Sequence, residues 1–277
     1  MPRPGLPKLI ATDLDGTLVR SDDTVSAYTH QVLRRVRAAG IRVVGATGRG
    51  PRLLDLTRRD IPAAEYLVLA GGGRVLGLAD SPDPVILHDR RLSGPRIAEL
   101  LDELEVIVGT MTVMVEALDG PDAPLWGELH ESWPWPERVE PLPRAEALAG
   151  EVIKVFVRVA DMDVDELVEV ARRVIPPTVA SVTQAGLGFA EICPPGVDKG
   201  TGLAVVAETL GVDPTEVLVF GDMPNDAPMF AWAGWGRVAV ANAHPSIRAM
   251  ADELTLTNDE DGVAVFLDRL LSPSGVV

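Results

Sequence analysis

Lys8-Leu-Ile-Ala-Thr-Asp-Leu-Asp-Gly-Thr17 decides how this chain is read. An apolar strand runs into Asp13 and Asp15 and turns at Gly16. The i, i+2 spacing sends both carboxylates to the same side of an extended chain. Two neighbouring carboxylates can divide labour, one as nucleophile and one as acid and base. A helix-capping loop also carries an Asp-x-Asp, so the pair gains meaning only from its surroundings.

Working outward, Val32, Leu33 and Val36 recur at helical spacing, with Ser26 as N-cap and Gly40 at the end. A buried strand over 41–46 stops at Thr47-Gly48-Arg49, a short helix covers 53–58, and a third strand covers 66–69. This alternation predicts a parallel sheet whose right-handed crossovers align the strand C-termini on one edge. Ser81-Pro-Asp-Pro84 then breaks the pattern. Beyond it, strands are expected at 111–115, 151–159 and 179–183, and helices at 95–104 and 164–174. The stretch 119–143 is rich in Pro and Trp and has no clean period. After Pro194-Pro195-Gly196 the alternation resumes, with helices at 199–210, 228–233 and 262–271 and strands at 217–220 and 237–240. The expected organisation is α/β: a parallel-sheet core from 1–82 and 191–277, and an inserted α+β domain over 83–190 between proline-marked hinges.

The 277 residues are 47% hydrophobic and 24% charged, which excludes a disordered, collagen-like or low-complexity chain. Asp and Glu outnumber Lys and Arg by 41 to 25, for a net charge of −16. Such a chain is a poor partner for nucleic acid or an anionic membrane. The single cysteine, Cys193, permits no intrachain disulfide and suits a reducing compartment. Residues 1–8 hold three prolines and no apolar h-region, and no run of about 18 apolar residues occurs. A cytoplasmic protein is expected. His30, His88, His130 and His244 are scattered and form no metal-ligand pair.

Three further stretches stand at strand ends, where ligands bind in open α/β sheets. Thr47 offers a hydroxyl for a phosphoryl oxygen, backed by the amides of the next turn, or is simply a turn residue. Arg49 beside it reaches substrate, the inserted domain or solvent. Lys199 opens a helix, where its charge opposes the dipole unless an anion lies nearby. Phe220-Gly-Asp-Met-Pro-Asn-Asp226 follows the most apolar strand and adds Asp222, Asn225 and Asp226, of which Asp226 also suits an N-cap. Carboxylates without Cys or His partners favour a hard cation such as Mg²⁺.

The order of these stretches resembles the haloacid dehalogenase superfamily of phosphohydrolases, in particular its Cof-type (IIB) branch. Asp13-Leu-Asp-Gly-Thr17, Ala46-Thr-Gly-Arg49, Gly196-Val-Asp-Lys-Gly200 and Gly221-Asp-Met-Pro-Asn-Asp226 resemble its four motifs. Asn242-Ala243 and the stretch 251–263 are similar to the same branch, whereas the insert matches only in length, position and element order. The resemblance implies a Rossmann-like core with an inserted cap that sets specificity and moves about hinges near Pro82–Pro84 and Pro194–Pro195. It implies that Asp13 is the nucleophile of a phosphate-monoester hydrolysis through an aspartyl-phosphate, and that Asp15 is the acid and base. Mg²⁺ would be held by Asp13, Asp222 and the backbone carbonyl of Asp15. Thr47 and Lys199, with Gly48, Arg49 and Asn225, would surround the phosphoryl group, and Asp226 would support them from behind. One departure is Ala70-Gly71-Gly72-Gly73, where this branch usually carries Asn-Gly; Gly71 removes an expected contact and three glycines loosen the loop.

The expected substrate is a small phosphate ester, sugar-phosphate-like, and the expected assembly a monomer or homodimer. A phosphomutase on the same site is the alternative within this chemistry, and a non-catalytic phosphate-binding protein lies outside it. A signalling receiver shares the Asp, Thr, Lys and metal but lacks an acid two residues after the phosphoacceptor and a large insert. Trp126, Trp133 and Trp135 either stack on a leaving group or anchor the insert. Trp232, Trp235 and Cys193 read as packing residues.

Overall fold

The computed structural model describes residues 5–78, 83–120, 123–127, 139–186 and 188–272. The first segment runs β1 (Leu9–Thr12), α1 (Ala27–Ala38), β2 (Arg42–Ala46), α2 (Leu54–Asp60), β3 (Tyr66–Leu69), β4 (Arg74–Gly77) and β5 (Val85–Asp89). The middle segment runs β6 (Leu92–Ser93), α3 (Gly94–Val108), β7 (Thr112–Glu116), β8 (Leu125–Gly127), β9 (Val139–Glu140), α4 (Arg144–Ala147), β10 (Glu151–Val152), β11 (Lys154–Arg158), α5 (Val164–Val174), β12 (Ser181–Gln184) and β13 (Ala190–Cys193). The last runs α6 (Lys199–Leu210), β14 (Val217–Gly221), α7 (Ala227–Trp232), β15 (Gly236–Ala239), α8 (Pro245–Met250), β16 (Glu253–Leu254) and α9 (Gly262–Leu271).

The first and last segments build one eight-stranded sheet in the order β16-β15-β14-β1-β2-β3-β4-β5. From β16 to β3 the pairings are parallel; β4 and β5 are antiparallel additions. β1 lies between β2 and β14, with Leu9 opposite both Arg42 and Val217. Helices cover both faces, so β1 and β14 are buried throughout and read as unbroken apolar runs. Ser26 caps α1 as expected, accepting from the Thr29 amide at 3.0 Å, and Val32, Leu33 and Val36 are buried.

The middle segment builds a six-stranded sheet, β12-β13-β11-β7-β8-β9. Alternation along β11 gives it two faces. Val155 and Val157 join the apolar cluster under α3 and α5, with Ile97, Leu101, Leu167 and Ile192. Lys154, Phe156 and Arg158 occupy the opposite face, which meets the C-terminal edge of the first sheet. Lys154 Nζ donates to the Gly48 carbonyl there at 2.6 Å. The two sheets keep separate apolar cores.

Several sequence expectations change. The strand expected over 151–159 breaks at Ile153, because β10 pairs with β6 while β11 pairs with β7 and β13. β4 and β5 form a hairpin on the first sheet, so that sheet continues to Asp89 instead of ending at 82; Ala190–Cys193 belongs to the second sheet, which moves the boundary at 190/191 past Cys193. The proline-marked break taken as a boundary falls, in sequence, between the paired strands β4 and β5. Pro82, His130, Trp133 and Trp135 lie outside the described residues. Trp126 packs against the second core, and Trp232 and Trp235 belong to the first, as packing residues.

Candidate active site

The carboxyl ends of β1, β2, β3 and β14 bring the four stretches together. β1 delivers Asp13, whose amide donates to the Phe220 carbonyl of β14 at 3.0 Å. β14 delivers Asp222 and the turn carrying Asn225 and Asp226. The first turn of α6 delivers Lys199, in a helix capped by Asp198. Lys199 Nζ lies 2.6 Å from Asp13 Oδ1 and 2.6 Å from Asp226 Oδ1. Asp13, Lys199, Asp222, Asn225 and Asp226 are all buried.

Asp226 does not cap α7. Its Oδ2 accepts from the Asp222 and Met223 amides at 2.8 and 3.0 Å, so it ties Lys199 to the β14 turn. Thr17 Oγ1 donates to Asp222 Oδ1 at 2.7 Å. Gly16 has φ +82°, and a Cβ there would stand 2.6 Å from Asp222 Oδ2. The glycine therefore keeps clear the space beside the second Asp222 oxygen.

Carboxylate oxygens of Asp13, Asp222 and Asp226 lie within 4.8 Å of one another, close enough to hold a metal ion. Lys199 is their only ammonium partner among the described residues, which leaves two negative charges in excess. Burial drives the Asp13 pKa well above its usual value; Asp226, Asp222 and Asp15 push the same way, and Lys199 opposes them. Asp222 is raised to about 7 by burial and by Asp226, against the Thr17 hydrogen bond and Lys199. Burial alone would lower Lys199, but Asp13 and Asp226 overcome it and hold the ammonium charged. An all-oxygen donor set with an excess of two charges fits a hard divalent cation. Asp226 has both oxygens engaged, so Asp13 and Asp222 are the better side-chain ligands.

Asp15 stands apart from this cluster. Its carboxylate accepts from Arg49 Nε at 2.9 and 3.1 Å. Arg49 is buried, not solvated, and its Nη1 reaches Asp60 Oδ2 at 2.6 Å. Thr47 Oγ1 accepts from the Arg49 amide at 3.0 Å, which turns Arg49 back over the strand end. A small cavity of about 20 Å³ is lined by Asp13, Asp15, Gly48, Arg49, Asn225 and, from the second sheet, Glu191. Thr47 is buried behind it. Asn225 is also buried and its Oδ1 has no hydrogen-bond partner. It further borders a wider cleft of about 240 Å³ between the sheets, beside Gly71. The largest described cavity, about 540 Å³, lies at the opposite end of the first sheet near Arg42 and Tyr66, away from this chemistry.

The model of the haloacid dehalogenase-like hydrolase family matches residues 10–267. The chain belongs to that family. A Bacillus subtilis relative, the 5-amino-6-(5-phospho-D-ribitylamino)uracil phosphatase YwtE, is 30% identical over 291 aligned residues, covering 96% of this chain and 98% of the relative. A haloacid dehalogenase-like hydrolase from Bacteroides thetaiotaomicron is 25% identical with a TM-score of 0.74, covering 96% of this chain and all of that one. A subclass IIB sugar phosphatase shares the fold at 19% identity and a TM-score of 0.74, covering 95% of this chain and 98% of its own. The Cof-type resemblance of the sequence stands. No helix among the described residues of this hydrolase is long and apolar enough to cross a membrane.

Sequence reading assigned no role to several residues that shape the site of this hydrolase. Asp60 anchors Arg49 from α2. Asn242 Nδ2 donates to the Gly16 carbonyl at 2.8 Å, and its Oδ1 accepts from the Asn258 amide at 3.0 Å. Asn258 Nδ2 donates to the Val19 carbonyl, and Asp261 pairs with Arg20. Thus the stretches 242–243 and 251–263, which resembled the family, brace the turn after Asp15. In the second sheet, Lys154 and Glu191 form a buried pair at 2.8 Å. A Lys and a Glu inside apolar strands were the available signal. In the loop after β3, a Cβ on Gly72 would stand 2.1 Å from the Asp198 carbonyl oxygen, so Gly72 serves close packing against the start of α6 more than looseness.

Proposed function

We propose that the chain hydrolyses a small, sugar-phosphate-like monoester with Mg²⁺, through an aspartyl-phosphate on Asp13. That it is a phosphatase of the haloacid dehalogenase family is the broader statement, and the site supports the finer one. The observation that carries it is the buried Asp13–Lys199–Asp226 cluster beside Asp222 at the edge of the sheet. An Asp13 oxygen forms the new bond to phosphorus as the ester oxygen leaves. Asp15 donates a proton to that oxygen and later takes one from the water that attacks phosphorus, which breaks the Asp13 oxygen–phosphorus bond and releases inorganic phosphate and the Asp13 carboxylate. Arg49 holds Asp15 in place through its Nε and Nη2. Lys199, with Thr47, Gly48 and Asn225, offsets or binds phosphoryl oxygens, and Asp226 fixes Lys199. Asp13, Asp222 and the Asp15 carbonyl would hold Mg²⁺, whose positive charge would offset the repulsion between an anionic nucleophile and an anionic ester.

Residues 83–190, adjusted to the sheet boundaries, act as the cap. A cavity of about 20 Å³ holds one water and no phosphate ester, so the cap opens to admit substrate. The lone buried Cys193 and acidic composition support a cytoplasmic enzyme.

The test is p-nitrophenyl phosphate turnover with Mg²⁺ or with EDTA, using Asp13→Asn as control. Metal-dependent release that vanishes in the variant is the expected result. A panel follows, with hexose and pentose phosphates and the phosphorylated ribitylaminouracil named for the Bacillus relative. Silence on p-nitrophenyl phosphate and on every panel member overturns the hydrolase reading.

A further inference from the structure

We propose that Glu191 and Lys154 are the cap's recognition pair for the leaving group: Glu191 accepts a hydrogen bond from a hydroxyl or amino donor close to the ester oxygen, and Lys154 positions it. This rests on the phosphatase reading above. Glu191 is a cap residue, yet its carboxylate lines the same small cavity as Asp13 and Asp15. Its Oε1 takes Lys154 at 2.8 Å, and its Oε2 accepts no hydrogen bond from a described residue. A Cβ on Gly48 would lie 3.6 and 3.8 Å from the two Glu191 oxygens and 3.8 Å from Asn225 Nδ2. The cap carboxylate, the core amide and the loop after β2 thus converge at one point. Any larger residue at 48 would fill it.

Packing does not require this pair. Both side chains are almost fully buried, and a buried ion pair is often no more stable than apolar residues of the same volume. The cap's own core lies on the other face of its sheet, built from Val155, Ile192 and their neighbours. On the site-facing side, Phe156, Met114, Leu125 and Phe189 form an apolar patch that could have extended over positions 154 and 191. Lys154 instead spends a second hydrogen bond on the Gly48 carbonyl of the core, at 2.6 Å. That bond exists only with the cap closed, so Glu191 reaches its working position at closure. Once the cap is down, the acceptors left without a partner among the described residues on this wall are Glu191 Oε2 and the buried Asn225 Oδ1. A leaving group with donors satisfies them, and one without donors leaves them dry and unpaired.

Glu191→Gln keeps the volume and inverts the wall. Its amide oxygen stays with Lys154, and its NH₂ presents donors where the carboxylate presented acceptors. kcat/KM is measured for p-nitrophenyl phosphate, whose leaving group has no donor, and for D-ribitol 5-phosphate and D-glucose 6-phosphate, whose leaving groups are rich in donors. The expected result is a loss of about 10- to 100-fold on the better polyol phosphate, the range for a hydrogen bond to a charged group, with p-nitrophenyl phosphate changed less than about threefold. The double variant Lys154→Met/Glu191→Leu removes both charges together, so neither remains stranded. It is expected to melt near the wild type and to lose the preference for the polyol over p-nitrophenyl phosphate. Equal losses on both kinds of substrate, or none on either, overturn the inference. So does a wild type without preference for a donor-bearing leaving group. Failure of the phosphatase reading looks different: the wild type then hydrolyses none of the three.

Discussion

Asp13 is held in a place that disfavours its own charge. Burial and the carboxylates of Asp226, Asp222 and Asp15 raise its pKa, and Lys199 only partly compensates. A carboxyl whose folded pKa is raised stays protonated longer in the folded than in the unfolded chain. Its ionisation therefore erodes stability as pH climbs above the unfolded value near 3.9. In EDTA, Asp13→Asn is expected to melt at least as high as the wild type at pH 8, by about 2–4 °C if it recovers roughly 1 kcal/mol, with a smaller gap at pH 5. Calorimetry at the two pH values checks this; a lower melting temperature for the variant at pH 8 sinks it. Cys193 gives a second expectation. Burial pushes its thiol up to about 12. Iodoacetamide at pH 8 should leave the folded protein unmodified and alkylate it once in guanidinium, as read by mass spectrometry.

At the scale of elements, glycines set how closely the pieces approach. Gly72 has φ +111° and no room for a Cβ against Asp198, where α6 begins. Gly72→Ala should shift that helix start and Lys199 with it, costing on the order of 2–3 kcal/mol as strain and overpacking combine. Gly40→Ala, with φ +82° and nothing within 4 Å, should cost only about 1 kcal/mol. Chemical denaturation of the two variants checks the ordering. The same scale explains what the sequence showed. Asp13, Thr47, Lys199 and Asp222 were legible because each stands at the junction of an apolar run and a polar turn, a purely local signal. The bounds expected for α5, α6 and α9 agree with the structure. Asp60, Lys154, Glu191, Asn242 and Asn258 carried no such mark. Each acts through a partner distant in sequence, and a lysine or glutamate in an apolar strand stands out without showing what it meets. The β4–β5 hairpin was missed because the proline-marked break between its strands was read as a boundary.

At the scale of the molecule, the cavity beside Asp13 and Asp15 is about 20 Å³, too small for an ester, so the proposed turnover calls for the two sheets to part. Gly186 of the cap approaches Met223 of the core; a Cβ on Gly186 would lie 3.3 Å from Met223 Cγ. Cysteines at both positions are within reach of a disulfide. The oxidised double variant should lose turnover on p-nitrophenyl phosphate and recover it with dithiothreitol. Full activity in the oxidised form would show that opening is not required.

β1 sits in the middle of its sheet, with one neighbour, β2, about thirty residues away and the other, β14, more than two hundred residues away. On the ribosome, the strand that leads into Asp13 therefore emerges well before its partner β14 and waits for it. Meanwhile the cap, whose strands pair only among themselves, can fold as a unit between the two halves. The nascent enzyme is thus a finished lid beside an open-edged half-sheet. Lys199, Asp222 and the brace at Asn242 and Asn258 arrive afterwards. Synthesis that stops before them yields an exposed apolar edge and no catalyst, so premature termination in the final third produces material for aggregation or proteolysis and not a partly active enzyme.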